Sequence, residues 1–147
     1  MERKKVINTD HLSQCIKTLE SSLIRLQASA PNSIDYEIFR NATIKGFELT
    51  LETAGKLLRK ALKAYSSNPA FVDELTYKDT LRHAVKHGLL SVEVIKHWFA
   101  YRDNRNNTAH DYGVFFAETT LKLLPQFLVD AKELQRVLQE KLGATDA

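Results

Sequence analysis

The residues best suited to chemistry lie together, in Tyr101-Arg-Asp-Asn-Arg-Asn-Asn-Thr-Ala-His-Asp-Tyr112. Asn104, Asn106, Asn107, Thr108 and Asp111 are poor interior helix residues, because their side chains compete for nearby backbone groups. A stretch chosen only for packing would carry Ala, Leu, Glu or Lys there, and such local inconsistency is expected at functional sites. His110 titrates near neutrality, so it can take a proton from a ribose 2′-hydroxyl or give one to a leaving oxygen. Arg105 stays charged and can hold a phosphate by paired hydrogen bonds. Asn106 can orient either group. Tyr112 offers a ring for base stacking and a hydroxyl open to modification.

Spacing sets a condition on this chemistry. In an unbroken helix Arg105 and Tyr112 share a face, while His110 points roughly 140° away from Arg105. Arg105 and His110 therefore converge only if the helix is deformed or a second subunit supplies one of them. Both routes predict a site at a helix junction near a twofold axis, and hence a homodimer.

The elements that must position these residues read as helices throughout. Leu12, Cys15 or Ile16, Leu19, Leu23 and Leu26 give a first helix from about Asp10 to Ala28, broken at Ser29-Ala-Pro-Asn-Ser33. A long second helix runs from about Asp35, read as its N-cap, to Tyr65. It carries two apolar stripes, Phe39, Ala42, Gly46, Leu49 and Thr53 on one side and Phe47, Leu51, Ala54, Leu58, Leu62 and Tyr65 on the other. Two stripes place it at the centre of a bundle or in a dimer interface. Thr76 opens a short helix that Gly88 stops, and Ser91 caps the next, which carries Trp98, Phe99 and Tyr101 as core. The last helix shows one stripe, Val114, Ala117, Leu121, Leu124, Leu128, Ala131, Leu134, Leu138 and Leu142. Pro125 interrupts it without changing its phase, so a kink rather than an end is expected. The expectation is an all-α, up-and-down bundle of about five helices forming one domain over residues 1–147.

Other polar residues read as scaffold. His83 and His87 have a metal-gripping spacing but no third ligand nearby, and are taken as surface residues with no metal site expected. Glu48 and Glu52 share a helix face, where they line the site or pair with Arg102 or Arg105. Cys15 reads as a small buried apolar residue.

Bulk composition is consistent with a cytoplasmic protein. The single cysteine argues against a disulfide framework, and no stretch is apolar enough to span a membrane. Met1-Glu-Arg-Lys-Lys5 is followed by no long apolar run, so no signal peptide is expected. The net charge of +3 and pI near 9.0 are compatible with an RNA or nucleotide partner without pointing to one.

Arg105-Asn-Asn-Thr-Ala-His110 resembles the Arg-x4-His motif of HEPN domains, and its extension to Tyr112 resembles the Arg-x4-His-x-Tyr motif of HepT-like proteins. Asp103-Asn-Arg-Asn and Phe47-Glu-Leu-Thr-Leu-Glu52, followed by Lys56-Leu57-Leu58, are similar to the nucleotidyltransferase substrate-binding protein family. The resemblance runs from about Leu12 to Leu142. It departs at Gly55, where the family pattern has a large aromatic residue. It implies an HEPN-like twofold dimer, partnered by a minimal nucleotidyltransferase, that acts as the toxin of a toxin–antitoxin pair. It further implies a metal-independent ribonuclease with no cofactor, catalysed by Arg105 and His110 and silenced by transfer of AMP to Tyr112. The alternative is a non-catalytic subunit that presents a substrate to the nucleotidyltransferase.

Overall fold

The computed structural model describes residues 7–108 and 114–143. Among these, six helices and no strand are found: α1 Asp10–Ala28, α2 Ile34–Tyr65, α3 Pro69–Asp73, α4 Tyr77–Lys86, α5 Ile95–Thr108 and α6 Val114–Leu142. The helix beyond the expected five is α3. Pro69 opens this short turn of helix at its first position, where a missing N–H costs nothing.

Central placement of α2 follows from its two-sided apolar pattern. It packs against each of the other five helices, while α6 also packs on α1 and α5, and α4 on α5. Phe47, Leu51, Ala54, Leu58 and Leu62 are buried as their stripe requires. The other stripe is covered only in part, since Leu49 and Ala42 remain exposed. Thr43 and Thr50 are fully buried on α2, and each hydroxyl donates to the carbonyl four residues back, Phe39 and Gly46. That local bond removes the penalty of an unsatisfied polar group and lets threonine serve as core.

Caps set the helix ends. Ser33, two residues before the expected Asp35, caps α2 by accepting the Tyr36 N–H at 3.0 Å, with Asp35 and Glu37 in the first turn beside the positive end of the helix dipole. Thr76 accepts the Asp79 N–H at 3.1 Å and opens α4. Gly88, at φ 75°, closes α4: its N–H reaches Val85 O and that of Leu89 reaches Ala84 O, the paired bonds of a left-handed helix stop. Ser91 accepts the Val94 N–H at 3.0 Å, and the chain passes through a turn before α5 begins at Ile95.

The core beneath the polar stretch is aromatic. Phe127 of α6 meets the rings of Phe47, Tyr101 and Trp98 edge-on, with centroids 4.8, 4.9 and 5.8 Å away. This cluster joins α2, α5 and α6 just below the last turn of α5. Phe99, expected in the core, is only half-buried, with Lys78 and Arg82 lying over its ring. On α6 every stripe residue from Leu124 to Leu142 is buried, and the helix continues through the exposed Pro125. No described helix is long and apolar enough to cross a membrane.

Candidate functional site

Arg105 and Asn106 sit on the last turns of α5, whereas His110 and Tyr112 lie outside the described residues. Asn106 is exposed. Arg105 is mostly covered, its side chain 26% accessible, and its Nε lies 4.0 Å from Glu52 Oε1 on α2. The same carboxylate oxygen accepts from Arg102 Nη1 at 3.3 Å. Glu52 thus bridges two arginines one turn apart on α5. Glu48 does not join them, and lies 3.9 Å from Lys45 instead.

Arg102 has a second support. Its guanidinium lies over the ring of Tyr77, 4.8 Å from the centroid, in cation–π geometry. Tyr77 comes from the first turn of α4 and donates its hydroxyl to Leu51 O at 2.9 Å. Burial holds this phenol well above its ordinary range, so the hydroxyl stays a donor. The ring fits because residue 55 is glycine: a Cβ there would stand 2.5 Å from Tyr77 Cε2. At Gly55, where the sequence departs from the pattern it resembles, an aromatic side chain from α4 covers the backbone of α2.

Asn104, which looked out of place in a helix, is one of the few buried polar residues. Its amide donates to Thr120 Oγ1 of α6 at 2.7 Å. The bond ties the end of α5 to the start of α6 on either side of the segment that holds His110 and Tyr112. One turn earlier, buried Asp130 of α6 accepts from the Tyr101 hydroxyl, from Gln126 Nε2 at 3.0 Å and lies 3.0 Å from His97 Nδ1. Burial, and then the bond to Asp130, raise the Tyr101 phenol above its usual range. The two α5–α6 links are polar, directional and buried, so they fix the register of the arms more tightly than apolar packing would.

Asp103 points outward to Lys78 Nζ at 2.8 Å. His83 and His87 are half-buried rather than exposed, each against an aromatic ring: His87 stacks on Tyr65 and His83 meets Phe71 edge-on. Among the described residues no three of His, Cys, Asp and Glu gather as a metal site would need. Cys15 is partly buried, with Sγ 3.8 Å from both Thr53 Oγ1 and His11 Nε2. Sequence reasoning underrated Tyr77 and Asn104, and it met Arg102 only as a pairing partner. The three-residue step from Arg102 to Arg105, which puts both on one helix face, was the available signal.

Residues 11–140 match the family model described as nucleotidyltransferase substrate binding protein like. The chain belongs to this family. A Haemophilus influenzae protein called probable ribonuclease HepT is 25% identical over 139 residues, covering 92% of this chain and 94% of that one. A solved Haemophilus influenzae structure, described as the fold of a substrate binding domain of a nucleotidyltransferase, superposes with a TM-score of 0.79. It is 25% identical and is covered over 99% of its length by 90% of this chain. The family resemblance therefore spans α1 to α6 and includes the arginine-bearing end of α5.

Proposed function

We propose that this family member is a HepT-like HEPN ribonuclease, the toxin of a toxin–antitoxin pair, in which Arg105 and His110 act on RNA without a metal. The observation that carries this reading is the seating of Arg105. It is largely covered, approached by Glu52, and one turn from a second arginine at the mouth of an Arg-x4-His-x-Tyr sequence. The full-length likeness to a probable ribonuclease HepT supports it.

In this chemistry the ribose 2′-oxygen attacks the adjacent phosphorus, forming a 2′,3′-cyclic phosphate as the bond to the 5′-oxygen breaks. His110 takes the 2′-proton or gives one to the 5′-oxygen. Arg105 holds the phosphoryl oxygens as charge builds on them, and Asn106, exposed beside it, orients the reacting groups.

A homodimer would complete such a site. Ile34, Ile38 and Leu49 are exposed on α2 at 72%, 54% and 50%, and helical geometry puts them within roughly 60° of one another. Glu52 falls on the same side. A second copy docked along this stripe would reach the Glu52–Arg105 region and bring its own His110 there.

Control belongs to a minimal nucleotidyltransferase partner. The Tyr112 oxygen attacks the α-phosphorus of ATP and pyrophosphate leaves. The added AMP puts a phosphate and a nucleoside beside Arg105, blocking RNA by charge and bulk. The test is intact mass after co-expression with the partner: an AMP-sized gain lost in Tyr112→Phe is expected, and a stable complex with no gain argues against it. The family description favours a second reading, a non-catalytic substrate-binding subunit, which predicts complex formation without RNA cleavage.

A further inference from the structure

We propose that Arg102 is a second RNA phosphate-binding residue beside Arg105, and that Glu52 is the internal anion holding that place until RNA displaces it. The proposal rests on the reading that RNA binds at this end of α5. Three observations converge on it.

Arg102 and Arg105 are three residues apart and so project from one face of α5. Their side chains are 27% and 26% accessible, covered enough to be ordered yet open to a ligand. Arg102 is also held before any ligand arrives. Its guanidinium rests on Tyr77, whose ring is fixed by the bond to Leu51 O and by the space left at Gly55. Stacking leaves the edge of a guanidinium available for hydrogen bonds, so a planar fork presented in this way is preorganised for a phosphate.

The Glu52 contact is loose. One oxygen lies 3.3 Å from Arg102 Nη1 and 4.0 Å from Arg105 Nε, whereas well-made guanidinium–carboxylate bonds are about 2.7–2.9 Å long. Glu52 is more accessible than either arginine, at 44%, so it can turn to solvent when a phosphodiester takes its place. Among the described residues, the adjacent carboxylate Asp103 is engaged elsewhere, with Lys78 at 2.8 Å. A carboxylate between two guanidiniums marks the position an RNA phosphate oxygen would take. It also holds the arginines in register before binding.

The test is binding of a short single-stranded RNA carrying 2′-O-methyl groups, which cannot be cleaved, followed by fluorescence anisotropy across a salt series. Arg102→Gln is expected to weaken binding about tenfold and to lower the salt slope by about 0.7, the loss of one phosphate contact on a single strand. Arg102→Lys should fall between, keeping the charge but losing the fork. Glu52→Gln should tighten binding several-fold. Unchanged affinity and slope in Arg102→Gln, or weaker binding in Glu52→Gln, would overturn the proposal. Arg102-dependent binding of the blocked RNA, with no cleavage of the unblocked one, would uphold it and contradict the ribonuclease reading alone.

Discussion

Gly55 and Tyr77 occupy one space: a Cβ on the glycine would fall 2.5 Å from Tyr77 Cε2. The ring cannot yield cheaply, because it is anchored through its hydroxyl to Leu51 O and carries Arg102 on its face. Overpacking of this kind costs about 1–3 kcal/mol, against a gain of about 1 kcal/mol for alanine over glycine inside a helix. Gly55→Ala should therefore lower stability by about 1 kcal/mol, a drop in Tm of about 3 °C for a chain of this size. A thermal melt in which Gly55→Ala is more stable than wild type would show that the ring moves freely.

Asn104 and Thr120 form a buried pair whose separate and joint removal should differ. Asn104→Leu strands the Thr120 hydroxyl, and Thr120→Val strands the amide, each costing about 1–3 kcal/mol. The double variant leaves no orphan and should lose clearly less than the sum. Urea unfolding of the four proteins checks this, and strict additivity would mean that the bond does not hold α5 to α6.

Tyr77 and Tyr101 should resist alkaline titration. Their folded phenols are raised above the ordinary value of 10.0, Tyr77 by burial and Tyr101 by burial and Asp130. Each stays neutral in the native state where the unfolded chain already releases its proton. Stability from this source is fully present below about pH 10 and lost as pH rises beyond it. Ultraviolet titration should show Tyr77 and Tyr101 missing from the native phenolate signal until unfolding. In Tyr101→Phe the alkaline fall in stability should be shallower.

Much of the fold could be read from periodicity, because each long helix carries an apolar stripe at helical spacing. The Phe47 to Leu62 stripe of α2 and the Leu124 to Leu142 stripe of α6 predict their burial, whereas the α2 stripe from Phe39 to Thr53 stays partly or fully exposed. Thr76 and Gly88 mark the ends of α4 by local chemistry. Less legible were features set by partners distant in sequence. Ser33 and Asp35 are both good caps, and only the backbone chooses between them. Pro69 is equally apt as a stop or a start. Tyr77 is unremarkable in α4 until Gly55 of α2 leaves room for it, and Asn104 makes sense only beside Thr120. At the site, residue types drew attention to the stretch around Arg105. The supporting Arg102, Tyr77 and Glu52 arrangement depends on how α2, α4 and α5 meet.

Cleavage of single-stranded RNA in EDTA, followed for purified wild type, Arg105→Ala and His110→Ala with the same far-ultraviolet circular dichroism and melting behaviour, tests the central claim most directly. The account predicts metal-free cleavage by wild type, with each variant slower by about 10²-fold or more, as expected for loss of a proton-transfer or charge-stabilising group. Cleavage by His110→Ala at the wild-type rate, or none by wild type freed of its partner and carrying an unmodified Tyr112, would contradict it.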